Sequence, residues 1–275
     1  MEAMTLESLF SRDINNLLET PHRVNFYHLI LFTQGTGVHS VDFIDYTYDS
    51  RTLLLISKGQ VHQFHVNNAN KGIVIVFTSE FLYENATESN LFHSLHVFES
   101  ALIAPSIQLT GAQKELLQKF SQAIYSEFQQ PIDDLSAEIL RHLLRVMLLQ
   151  IARIHEKVLL AQRIAPNYKE FVTFRRFVER DLGKSRKVEY YAGLLDVSTK
   201  KLNEILRKIL NKTAKEFIEE NVILEARRLL TQGDLPIKEV SARLGFSEPT
   251  NLVKFFKKHT NTSPAEFRRK IHSSK

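Results

Sequence analysis

The chain contains no cysteine in its 275 residues. That excludes disulfides, thiolate metal sites and cysteine nucleophiles. It has no apolar run near the roughly 18 residues that suggest a membrane span. The opening segment MEAMTLESLF lacks a basic stretch followed by an apolar one, so no secretory signal is expected. Phosphate-binding glycine loops and a Ser-His-Asp constellation are also missing. What is present is ordinary globular composition, 43% hydrophobic, in a chain long enough for two domains. These features together predict a soluble cytoplasmic protein with no membrane partner.

Charge of the two signs is unevenly distributed. Residues 185–275 carry 19 Lys and Arg against 11 Asp and Glu, a balance of +8; the first 184 residues carry 17 against 20, or −3. A basic C-terminal third on a slightly acidic body suggests a polyanionic partner for that third.

The pattern of apolar residues changes along the chain. VNFYHLILF (24–32), VHSVDFIDY (38–46), TLLLI (52–56), VHQFHV (61–66) and IVIVF (73–77) read as short strands. Turn formers such as QGTG and NNANKG separate them, which suggests an antiparallel barrel or jelly roll. From residue 110 the period becomes helical. GAQKELLQKFSQAIYSEFQQ (111–130) places Leu116, Leu117, Phe120, Ile124 and Phe128 on one stripe. The 134–160 segment carries an apolar surface wider than one face needs, so one side is expected to pack on its own domain and the other on a second copy. The expected organisation is a β domain over 1–110, a helical dimerisation segment over 111–160, a linker over 161–168, and an all-helical domain over 169–275.

Within that last domain the sequence repeats. Glu239, Ala242, Leu244, Leu252, Lys258, Asn261, Glu266 and Phe267 are identical to the residues fifty positions earlier, Glu189, Ala192, Leu194, Leu202, Lys208, Asn211, Glu216 and Phe217. Each copy has the grammar of a helix-turn-helix. In the second, Pro236 suits the first helical position, Ala242 a close helix approach, Gly245 the turn, Phe246 a plug between helices, and Ser247 an N-cap. TAKE (213–216) and SPAE (263–266) read as capping boxes opening the helix after each copy. The outward set is Thr199, Lys200, Lys201, Asn203, Glu204 and Arg207 in the first copy, and Glu248, Thr250, Asn251, Lys254 and Lys257 in the second. Lysine and arginine neutralise phosphates, and Thr, Asn, Glu and Arg reach base edges. Successive major grooves on one face of B-DNA lie about 34 Å apart, so two units joined by one helix can enter adjacent grooves. The duplication matches the periodicity of double-stranded DNA.

The segment VILEARRLLTQGDLPIKEVSARLGFSEPTNLVKFFKKHTNTSPAEFR resembles the DNA-binding domain of the AraC/XylS transcription regulators, and the resemblance covers about residues 168–272. LFTQGTGVHSVDF, ISKGQVHQF and the following G-x-V-I-x-F resemble, more loosely, the cupin-like jelly roll that many members carry in front. The resemblance implies an α+β multidomain protein. In it, a β jelly-roll sensor would precede a double helix-turn-helix domain, with a small-molecule effector, promoter DNA and RNA polymerase as partners. It also implies a homodimer, activation in preference to repression, and no enzymatic activity or cofactor. Departures from the family pattern include Leu252, Asn221, Ser241 and Val253; Val253 can make an apolar contact to a thymine methyl.

His39, His62 and His65 raise an alternative, a cupin-type metalloenzyme with an appended nucleic-acid module. The enzyme-type H-x-H pair is missing, and His62 and His65, three apart, would face opposite sides of one strand. Structural or effector-contacting histidines are the favoured reading, with no metal. Tyr27, His39 and His65 are the candidate effector contacts, with Leu29 and Gln63 as further possibilities whose facing the sequence leaves open. A front domain that only dimerises is the third reading.

Overall fold

The computed structural model describes residues 1–12, 15–83, 97–98, 104–163, 167–231 and 235–272. It divides into two compact units, residues 1–157 and 158–275.

The first unit contains nine strands among its described residues: β1 Glu2–Thr5, β2 His22–Arg23, β3 Tyr27–Gln34, β4 Gly37–Val41, β5 Ile44–Tyr48, β6 Thr52–Ile56, β7 Val61–Phe64, β8 Lys71–Phe77 and β9 Ser106–Gln108. They form a five-stranded sheet in the order β1-β8-β3-β6-β9 and a four-stranded sheet in the order β2-β7-β4-β5. All pairings are antiparallel. The alternation 1-8-3-6 and 2-7-4-5 is the jelly-roll order, with β9 added to one edge. Short helices α1 Leu6–Phe10, α2 Asn15–Leu18 and α3 Ser79–Tyr83 accompany the strands.

The period of the sequence joins 38–46 into one strand. The chain instead turns at Asp42 and Phe43, both at positive φ (51° and 66°), giving a tight β4–β5 hairpin. The strain at Asp42 is offset by its carboxylate, which accepts from Val61 N–H at 3.1 Å and Gln60 Nε2 at 2.8 Å. Strands β1, β2 and β9 have two to four residues, too few to show a period of two.

Both faces of the five-stranded sheet are covered, so β3 and β6 are near-continuous apolar runs. Ile30, Phe32, Leu54, Ile56 and Val74 point between the sheets, with Val41 and Phe64 opposite. Leu29, Leu31, Leu53, Leu55 and Ile75 point the other way, against α4 Gly111–Phe128 and α5 Ser136–Arg163. A capping box opens α4, with Thr110 accepting from Gln113 N–H and Gln113 returning to Thr110 N–H. Leu140, Leu144, Met147, Leu148 and Ile151 of α5 are buried. The helix runs to Arg163, into the stretch expected to be linker, and part of that stretch lies outside the described residues.

Among its described residues the second unit is all helical: α6 Tyr168–Asp181, α7 Val188–Leu194, α8 Thr199–Leu210, α9 Ala214–Thr231, α10 Ile237–Arg243, α11 Pro249–Thr260 and α12 Pro264–His272. One core holds them together, built on Phe171, Phe174, Tyr191, Leu206, Ile218, Val222, Leu230 and Phe256. None of the helices among the described residues is long and apolar enough to cross a membrane.

Candidate DNA interface and sensing core

Two helix-turn-helix units are present, α7–α8 and α10–α11, joined by α9. The first helices of the two units match at a spacing of 49, not 50. Leu195 N–H bonds to Tyr191 O as Leu244 N–H does to Val240 O, and Val197 N–H bonds to Ala192 O as Phe246 N–H does to Ser241 O. The positive-φ turn residues Asp196 and Gly245 keep that spacing. From the second helices onward the spacing is 50, as the left-handed C-caps Asn211 and Asn261 show. The second turn is therefore one residue longer. The small buried residue equivalent to Ala192 is Ser241; Ala242 is exposed and does not sit at the helix approach expected for it. The extra residue also changes the cap. Ser198 caps α8 through its side chain, whereas Glu248, not Ser247, is the N-cap of α11, with Pro249 next. Pro236 is itself an N-cap position, one residue before α10.

The capping boxes form as the sequence predicted. Thr213 N–H donates to Glu216 at 2.7 Å and Ser263 N–H to Glu266 at 2.7 Å, with the hydroxyls accepting in return at 3.2 Å. Those bonds hold both glutamates below the usual carboxylate range.

On α8, Leu202, Ile205 and Leu206 are buried; on α11, Leu252 and Phe256. Lys200, Lys201, Glu204 and Arg207 are exposed, as are Glu248, Thr250, Asn251, Lys254 and Lys257. Thr199 is half-buried at the head of α8. Asn203 departs from the expected outward set. It is half-buried, its Nδ2 donates to Thr199 O at 3.0 Å, and its Oδ1 accepts Ala214 N–H at 2.9 Å. Both ends of its amide are engaged, Nδ2 within α8 and Oδ1 across to α9. The second helix-turn-helix follows the same logic: fifty residues on stand half-buried Val253 and buried Pro264. A proline has no N–H to satisfy, so the site opposite it needs no amide.

Between the sheets of the first unit lies a cluster of histidines. His39 and His62 approach within 3.1 Å through Nε2 and Nδ1. The His62 ring sits 4.4 Å from that of His22 and 4.7 Å from that of His28. His28, His39 and His62 are buried. Burial, reinforced by the neighbouring histidines, pushes His28 and His39 down to about 3 and His62 well below its ordinary value, so all three are neutral at pH 7. His28 Nδ1 and His62 Nε2 have no hydrogen-bond partner among the described residues. No group of three or more His, Asp or Glu among those residues is arranged to hold a metal ion.

Of the candidate effector contacts, only His39 faces this interior. Tyr27 packs with Phe77 and Phe98 on the helix-covered face. His65 is exposed on the outer face of the four-stranded sheet, where its Nε2 meets Ser40 Oγ at 2.9 Å. Leu29 goes with Tyr27, and Gln63 pairs with Ser40 on the outer face.

A family profile described as an AraC-like ligand binding domain matches residues 7–147, and a helix-turn-helix domain profile matches residues 191–270. The chain belongs to the AraC family. Among AraC-family relatives, an HTH-type transcriptional regulator of Bacillus subtilis, YfiF, is 22% identical over 262 residues, 92% of this chain and 80% of its own length. The Msm operon regulatory protein of Streptococcus mutans is 31% identical over 100 residues; the match spans about a third of each chain, 36%. A solved structure of ToxT from Vibrio cholerae is 14% identical over 90% of this chain and 91% of that one, with a TM-score of 0.45. Sequence reading missed His22 and His28. The signal for His28 was its place in YHLILF, on the same side as Ile30 and Phe32.

Proposed function

We propose that the chain is a sequence-specific regulator that binds promoter DNA through both helix-turn-helix units and activates transcription in response to a small-molecule effector. The observation that carries this reading is the paired unit itself. Two recognition helices, each with a buried apolar side and an exposed lysine-bearing side, are built on one core. Lys200, Lys201, Glu204 and Arg207 of α8, with Glu248, Thr250, Asn251, Lys254 and Lys257 of α11, would contact the duplex. Thr199 would serve at the head of α8, and Asn203 would act from behind the surface.

The effector would bind between the sheets, where His28 and His62 offer unpaired nitrogens and half-buried His22 marks a route in. A compact polar molecule fits that chemistry, because neutral imidazoles both donate and accept. Ile139, Val146 and Leu149 of α5 are 40–49% exposed on the side away from the core, and we assign them to a homodimer contact. Contact with RNA polymerase and a cytoplasmic location complete the reading.

The test is selection of bound sites from fragmented genomic DNA, with the best site titrated at two salt concentrations. A recurring site of two blocks about one helical turn apart, bound well above random DNA, is expected. Purely nonspecific binding that vanishes with salt would overturn it.

A further inference from the structure

The loop between α6 and α7 is wired tightly to the first helix-turn-helix, α7–α8. The Asp181 carboxylate, with no exposed side-chain surface, pairs with Arg180 at 2.6 Å and Lys184 at 2.7 Å and accepts Tyr190 Oη at 3.1 Å. Lys184 and Ser185 N–H donate to Asp181 O, and Tyr191 Oη donates to Ser185 O at 2.6 Å. The other side of the loop meets the turn of the second helix-turn-helix, α10–α11. A Cβ on Gly183 would run into the Arg243 carbonyl, and one on Gly245 into the Gly183 carbonyl. Gly245 also sits at φ 70°. The Arg186 guanidinium lies 3.7 Å from the centroid of the Phe246 ring, with Nη2 directed to Gly245 O at 3.5 Å. Phe246 is the buried plug of the α10–α11 turn. Beside these contacts a cleft of about 530 Å³ separates the loop from α9, floored by Ile218, Val222 and Phe255.

Among the described residues, α9 and this loop-to-turn contact both join the two helix-turn-helix units. A single connecting helix leaves pivoting of one unit about its axis opposed only by packing. A second contact off that axis removes the freedom, because any rotation drags Gly183 across Gly245 or lifts Arg186 from Phe246. We infer that the 182–187 loop is a spacing clamp, with Gly183 and Arg186 as positioning residues that restrict the protein to one separation between its two DNA blocks. This rests on the proposed reading in which both units contact DNA.

The test uses the full chain and duplexes carrying the selected two-block site with the spacer changed by one or two base pairs. Each added pair turns the second block by about 35° and moves it about 3.4 Å. The wild type should bind the native spacing best and lose affinity steeply on either side. Arg186→Ala should keep affinity for the native spacing and relax the discrimination by about threefold or more. Gly183→Ala, checked for folding by its thermal melt, should shift the preferred spacing. Where it fails to fold, Arg186→Ala alone decides. An unchanged spacing profile in Arg186→Ala would overturn the clamp. So would an equal loss at every spacing with a shallower salt slope, which would make Arg186 a phosphate contact only. A wild type indifferent to the presence of two blocks would instead sink the two-unit reading, and the clamp with it.

Discussion

Asn203 Oδ1 accepts the backbone N–H of Ala214 at 2.9 Å, and fifty residues later the same two positions are Val253 and Pro264. The pair has been solved twice in one chain, once with a donor and an acceptor and once with neither. A recognition-helix residue therefore serves the fold. Asn203→Val should destabilise the helical domain by about 1–2 kcal/mol, by leaving an amide N–H unpaired. Adding Ala214→Pro should recover most of that loss, because the orphan donor disappears and proline suits a first helical position. Denaturant unfolding of the two single variants and the double variant checks this. Simple additivity of the two losses would count against the coupling.

The exposed cations should behave differently from Asn203. Arg207→Ala and Lys254→Ala should each weaken operator binding and reduce the slope of log K against log salt by about 1. Neither should lower the melting temperature appreciably, since both side chains are exposed. Asn203→Ala should show the reverse pattern, with lower stability and an unchanged salt slope. Titrations at several salt concentrations separate the two classes.

These contrasts mark what the sequence could and could not convey. Helix existence, the capping boxes and the doubled unit were legible because they rest on local residue types at fixed offsets. The spacing of 49 was hidden because Ala192 finds an identical residue at 242 by coincidence, while its structural partner is Ser241. The β4–β5 turn was hidden because Asp42 and Phe43 continue an alternating pattern, and only contacts from Gln60 and Val61 make the turn tolerable. The facing of the candidate effector contacts was least legible. Tyr27 and His28 are adjacent yet face opposite cores, and nothing in a strand buried on both faces says which side meets the second sheet.

The apolar residues left on α5 make a prediction about assembly. Val146→Lys together with Leu149→Lys should convert a dimer to monomers in sedimentation without lowering the melting temperature of dilute protein. Both positions are roughly half exposed, so a lysine there meets no folding penalty within the chain. A wild type that sediments as a monomer would remove the dimer assignment.

The histidine cluster links stability to pH. His28 and His39 have folded-state values of about 3 against 6.5 for the unfolded chain. Below pH 6.5 the unfolded state therefore binds protons that the folded state refuses. Stability is fully present above 6.5 and is lost as pH falls toward 3. Each histidine should cost up to about 2 kcal/mol by pH 5, at 1.36 kcal/mol per pH unit. His28→Leu, which removes an imidazole whose Nδ1 has no hydrogen-bond partner among the described residues, should flatten the dependence by about one proton. Thermal unfolding at stepped pH, with and without the substitution, measures the slope. A variant with the wild-type slope would mean that His28 is charged, or reached by water, in the folded protein.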